Sequence, residues 1–102
     1  MYIAEVVGSV VATRKTDNME GLPLRIVRKI STDGAASDSY AVAVDVMGTS
    51  EGEYVLIATG STARQTQQTD NRPIDAIIMA IVDMWQVENR VKYRKDSDAA
   101  RA

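Results

Sequence analysis

The sequence predicts an all-β fold, a small closed or partly closed antiparallel barrel. Two observations carry that expectation. Several short apolar stretches are separated by turn signals, and little of the chain reads as helix. A length of 102 residues bounds it to one domain with a modest core.

The first strand reads from Tyr2 to Thr13. Tyr2, Ala4, Val6, Gly8, Val10 and Ala12 share one apolar or small face, and Ile3, Glu5, Val7, Ser9, Val11 and Thr13 share a mixed one. Gly8 in mid-strand predicts a bulge or sharp bend. Arg14 to Gly21 is polar and turn-like. Leu22, Leu24, Ile26, Arg28 and Ile30 line one face of a second strand, opposite Arg25 and Lys29. Pro23 has no amide donor and belongs at the start or edge of that strand. Ser31 to Ser39 reads by composition as a mobile surface loop.

Tyr40, Val42, Val44 and Val46 form one face of a third strand. Gly48 to Glu53 turns the chain and Tyr54 to Thr59 returns it. Gly60 to Arg72 is polar and glutamine-rich, an irregular loop or a short helix, and Pro73 suits a first helical position. The last strand reads from Ile77 to Trp85, apolar on both faces, with a helix over Ile74–Trp85 as the rival reading. Val87 to Lys95 continues as strand or coils into a helix. The domain therefore takes residues 1–95, and residues 96–102 read as a frayed, flexible tail.

Composition narrows the function. The chain is 45% hydrophobic and 25% charged, which places it with globular proteins. It has no Cys and no His, so disulfides and the usual zinc and iron ligand sets are missing. The usual residues of acid–base and covalent catalysis are missing with them, which weighs against an enzyme. A formal charge of −2 offers no basic field to nucleic acid. No apolar run is long enough to span a bilayer, and no secretory signal peptide is evident.

One feature points toward association. A small barrel needs one face of each strand for its core, yet the first, third and last strands are apolar on both. Burying an Ile or Val is worth roughly 1.5–3 kcal/mol, and a contiguous exposed set invites a partner. The surplus argues for a protein–protein interface.

The motifs agree in order as well as in kind. Ile3 to Thr13 is followed by Lys15, and Met19-Glu20-Gly21-Leu22-Pro23-Leu24 leads into the second strand. Ala43-Val44-Asp45 precedes Gly48, Gly52 and Glu53. Gly60-Ser61-Thr62-Ala63-Arg64 follows, then Pro73-Ile74-Asp75-Ala76 and Ala80-Ile81-Val82-Asp83. This ordered set resembles the EutN/CcmL family, the small vertex proteins of bacterial microcompartment shells. Two departures stand out: Gly48-Thr49-Ser50 replaces a usual Gly-Ala-Gly, and the tail beyond Trp85 is longer and more charged.

The resemblance implies a five-stranded, OB-like barrel with one short helix, assembled as a cyclic homopentamer. It implies a structural protein with no cofactor, in a cytoplasmic bacterial microcompartment shell, beside hexameric shell proteins. Five-fold units would supply the curvature that a flat hexagonal sheet lacks. It also places Gly48, Thr49, Ser50, Gly52, Glu53, Gly60, Ser61, Thr62, Ala63 and Arg64 at subunit contacts near the five-fold axis. The plain alternative is that Gly48, Gly52 and Gly60 are turn formers supplying positive φ.

Other residues carry two readings each. Arg64 is solvated or bonds a nearby carbonyl, or it meets a carboxylate or backbone across the interface, with Glu53 or Asp45 as candidates. Asp45 and Asp83 interrupt apolar strands, so each needs a defined partner or a place at the rim; a catalytic carboxylate pair is the sharper reading. Asp75 reads as a helix-start carboxylate. Trp85 suits a core or an interface. Arg90, Lys92, Arg94 and Lys95 form a solvated face or a contact with shell hexamers or cargo. The rivals to the vertex role are a monomeric or dimeric OB-like module binding nucleic acid or a small ligand, and a small enzyme using carboxylates.

Overall fold

Residues 1–11, 23–60 and 75–95 are described by the computed structural model of the chain. Its strands are β1 (Tyr2–Val10), β2 (Leu24–Ile30), β3 (Ala36–Asp45), β4 (Tyr54–Thr59), β5 (Ala76–Ile81), β6 (Met84–Val87) and β7 (Arg90–Arg94). The first five close a barrel in the order β1-β2-β3-β5-β4, the five-stranded architecture that the family resemblance implies. Four seams are antiparallel, while β3 and β5 run parallel through the pairs Val44–Ile77 and Asp45–Ile78. The short helix expected between Gly60 and Pro73, the turn Arg14–Gly21 and the tail 96–102 lie outside the described residues.

Alternation along the strands builds the core. Ala4, Val6, Val27, Ala43, Val55, Ile57 and Ile78 form one buried cluster, with at least one residue from every barrel strand. The bulge expected at Gly8 is present: Val6 pairs with Val27 and Gly8 with Ile26, leaving Val7 as the extra residue. β1 faces inward through Ala4 and Val6, as its periodicity indicates.

A second cluster explains part of the apolar surplus without any partner. Val44, Ala58 and Ile77 neighbour Ala43, Ile57 and Ile78 in sequence, and so lie on the opposite face of the same sheet. All three are buried within the subunit, with Leu24, Val46 and Met79 packed against them. The second apolar face of β5 is thus largely accounted for within the chain. The surplus that remains exposed on the barrel strands is concentrated on β3, at Tyr40 (56% exposed) and Val42 (52%).

Three expectations are corrected. β2 faces the core through Val27, not through Ile26 and Arg28, whose face is only half-buried. Aliphatic residues occupy both faces of β2, so counting them picks the wrong one, and a register shift between Arg28 and Ile30 brings Ile30 inward as well. The polar stretch Ser31–Ser39 is not all loop, because β3 starts at Ala36. Its early part is exposed, so polar side chains suit it. The last barrel strand ends at Ile81 instead of Trp85, and the chain continues as a separate two-stranded ribbon, β6–β7. Only Val82 and Asp83 separate the two strands, which is why one apolar run spans both.

The ribbon turns at Glu88 and Asn89, with φ of 52° and 64°. Positive φ at both central residues of a two-residue loop matches the type I′ turn that hairpin twist favours. Among the described residues, no helix is long and apolar enough to cross a membrane.

Candidate functional site

β3 delivers Asp45 to the start of the turn that leads to β4, and the turn is built on its carboxylate. Oδ1 accepts hydrogen bonds from the amides of Met47 (3.0 Å) and Gly48 (2.9 Å). Oδ2 accepts from the Thr49 amide (2.7 Å), the Thr49 hydroxyl (2.9 Å) and Arg25 Nε (3.1 Å). The Asp45 side chain is fully buried, whereas that of Arg25 is 27% exposed. Burial alone would push this carboxyl up. The Thr49 amide, Arg25, the Thr49 hydroxyl and the Met47 amide together outweigh burial and hold it below the ordinary carboxylate range. Asp45 thus has the defined partner its position demands.

The second half of the turn is held by Glu53. Its Oε1 accepts from the Ser50 amide (2.6 Å) and its Oε2 from Lys95 Nζ (3.0 Å), and these two bonds lower its carboxyl too. The Gly52 amide donates to Val6 O, and the Val6 amide to Glu53 O, which pins the turn to β1. Thr49 is buried, while Met47, Gly48, Ser50, Glu51 and Gly52 face solvent. The result is a rigid, preformed knob whose own polar groups are largely satisfied.

Gly48, Gly52 and Gly60 have φ of 76°, 92° and 64°, which glycine reaches without the strain other residues meet. A Cβ on any of them would meet none of the described residues within 4 Å. Among the described residues of the subunit, nothing at these positions demands a small side chain beyond the backbone strain. Gly60 closes β4, and its amide donates to Asp75 O where the chain returns into β5. The Gly48–Glu53 turn and Gly60 sit at opposite ends of β4, about 20 Å apart at roughly 3.3 Å per residue, so one subunit does not bring them together. Ser61, Thr62, Ala63 and Arg64 lie outside the described residues. Asp45 and Glu53, the acceptors suggested for Arg64, are bonded to Arg25 and Lys95.

Sequence reasoning missed the partners Arg25 and Lys95, which lie 20 and 42 residues from their carboxylates. It also missed the seat of the ribbon. Tyr54, Trp85 and Tyr93 stack together, with ring centroids 4.4 Å apart for Tyr54–Tyr93 and 5.1 Å for Trp85–Tyr93. Trp85 Nε1 donates to Thr32 O at 2.8 Å. Lys92 approaches Asp33 at 3.9 Å, so the basic cluster is partly spent on docking the ribbon. Asp83 is exposed, its carbonyl accepting from the Lys95 amide. Asp75 leads straight into β5, and the helical turn proposed to precede it lies outside the described residues. Among the described residues no group of His, Cys, Asp or Glu is placed to hold a metal ion.

The architecture is shared with known proteins. The sequence model of the family described as "Ethanolamine utilisation protein EutN/carboxysome" matches residues 1–83. The carboxysome shell vertex protein CcmL of Synechocystis sp. is 40% identical, over 96% of this chain and 98% of its own length. The structure of Gloeobacter violaceus CcmL superposes with a TM-score of 0.91 at 36% identity, covering 94% of this chain and 99% of that one. The pentameric microcompartment shell protein GrpN of Rhodospirillum rubrum gives 0.79 at 34% identity, covering 85% and 99%.

Proposed function

The chain belongs to the EutN/CcmL family, and from that premise we infer that it is a shell vertex protein of a bacterial microcompartment, working as a homopentamer. Likeness to vertex proteins over nearly the whole of both chains carries this reading. The mechanism is geometric: five copies close a ring, and the ring supplies the five-fold corner that a flat hexagonal sheet cannot make. We further propose that hexameric shell proteins surround each ring, and that the chain catalyses nothing. The rival reading, an OB-like binding module, calls for exposed aromatic rings over a basic groove. Here Tyr54, Trp85 and Tyr93 stack on one another, and Tyr93 is buried.

The role is tested by assembling shells from hexameric tiles with and without this chain and viewing them by electron microscopy. Closed polyhedra are expected only when it is present. Equally well-closed shells without it would refute the vertex role.

In this reading the Gly48–Glu53 knob, with Thr49 as its buried brace, and Gly60 with Ser61, Thr62, Ala63 and Arg64 contribute to subunit contacts. Standing at opposite ends of β4, the turn and Gly60 suit the two different patches that a cyclic, head-to-tail interface requires. Replacement of Gly60 by alanine carries only the left-handed backbone cost, about 1–2 kcal/mol. Tryptophan at the same position adds bulk where a Cβ meets none of the described residues within 4 Å. Gly60→Trp is therefore expected to block ring formation that Gly60→Ala permits. Size-exclusion chromatography of the pair checks this, and equal assembly would remove Gly60 from the contact.

A further inference from the structure

Two exposed stripes of complementary chemistry remain on the subunit. Along β3, Tyr40 and Val42 are two residues apart and share a face; Asp38 lies two residues before Tyr40, where the register with β2 shifts, and all three are exposed. On the ribbon, Trp85 pairs with Tyr93 and turns inward onto Tyr54. The flanking pairs, Met84 with Arg94 and Gln86 with Val91, therefore project outward, and all four residues are exposed. Met84 and Val91 are 45% and 46% exposed, a large apolar area for an outer surface.

Each stripe thus carries two apolar side chains and one charge, and the charges are opposite. Neither the Asp38 carboxylate nor the Arg94 guanidinium has an ion-pair partner among the described residues. Their placement also fits a ring. Tyr54, Glu5, Arg28 and Tyr40 lie in one line across β4, β1, β2 and β3. The ribbon packs on Tyr54 at the first residue of that line and reaches the β2–β3 loop at Thr32 and Asp33, while the β3 stripe includes the last residue of the line. Two distinct patches of different chemistry make a heterologous contact that closes by rotation, whereas one self-complementary patch would make a two-fold dimer.

We propose that the outer face of the β6–β7 ribbon of one subunit seats on the β3 stripe of the next, with Arg94 against Asp38. Met84 and Val91 then cover Tyr40 and Val42. The occupant of each stripe is a second copy of this chain, so the proposal rests on the ring-forming reading and specifies its contact.

Charge reversal tests it on the full chain. Asp38→Arg and Arg94→Asp each place like charges together, and each is expected to raise the subunit concentration needed for half assembly at least about tenfold. The double variant restores the pair and is expected to assemble at nearly the wild-type concentration. Both positions are exposed, so the single variants are expected to keep the wild-type circular dichroism. Rings forming equally well in all variants would overturn this contact and leave the ring itself standing. A double variant weaker than either single one would overturn the pairing. A wild-type chain that never leaves the monomeric state would remove the ring and this contact with it.

Discussion

Replacing Asp45 with asparagine is expected to cost the subunit about 3 kcal/mol, nearly as much as replacing it with alanine. The carboxylate receives five hydrogen bonds on two oxygens and every incoming group is a donor. An asparagine keeps one oxygen and sets an NH2 against the remaining donors, whichever way the amide is turned. At least one backbone amide then loses its acceptor, either the buried Thr49 amide or those of Met47 and Gly48, and orphaned donors cost about 1–3 kcal/mol each. Thr49→Val removes only the hydroxyl bond and is expected to cost about 1 kcal/mol. Urea denaturation of the three variants checks the ranking. Substitutions near 0.5 kcal/mol at Asp45 would show that the turn holds itself without the carboxylate.

The same residue sets a pH dependence. Because its folded-state pKa is depressed, the ionised carboxylate stabilises the fold above the unfolded value of about 4 and that stability is lost as pH falls through the folded value. The gap between wild type and Asp45→Asn is therefore expected to be full at pH 6–7 and to shrink below about pH 4. A gap that stays constant to pH 2 would contradict the assignment.

Removing the Trp85 ring is expected to cost about 3 kcal/mol, the low end for a large aromatic because the side chain is half-buried. The loss should be local. A two-stranded hairpin is marginal by itself, and this one is held by the Tyr54–Trp85–Tyr93 stack, the Trp85–Thr32 bond and the Lys95–Glu53 pair. Trp85→Ala is thus expected to strip amide-exchange protection from β6 and β7 while the barrel strands keep theirs. Trp85→Phe keeps the stacking and loses the bond to Thr32, for about 1 kcal/mol. Trp85 is the chain's one tryptophan, so Tyr93→Ala should shift its fluorescence to the red as the ribbon lifts. Unchanged protection in β6 and β7 after Trp85→Ala would mean that something else fastens the ribbon.

Local signals in the sequence were sufficient wherever a strand has one clean face. Ala4 and Val6 alternate with Glu5, and β1 turns inward as that pattern says. The bulge at Gly8 was legible for the same reason, as a break in an otherwise regular run. β2 was misread because Val27, which stays inside, is flanked in its face by Arg25, bonded to the buried Asp45, and by the exposed Lys29. The ribbon was hidden because β5 and β6 are both apolar and nearly contiguous. The turn glycines were visible from their residue type, and their positive φ follows. What local signals could not supply were the bonds of Asp45 to Arg25 and of Glu53 to Lys95, since register across a barrel decides which distant residues meet. The apolar surplus was visible, but how much of it one subunit covers was not: Val44 and Ile77 are buried at home, while Tyr40 and Val42 stay exposed.

The most direct measurement is the mass of the purified chain in solution by native mass spectrometry at micromolar concentration. Five copies of an 11.1 kDa chain, about 55 kDa, are expected as the dominant species. A well-folded single subunit of 11.1 kDa that stays alone across that concentration range would contradict the account.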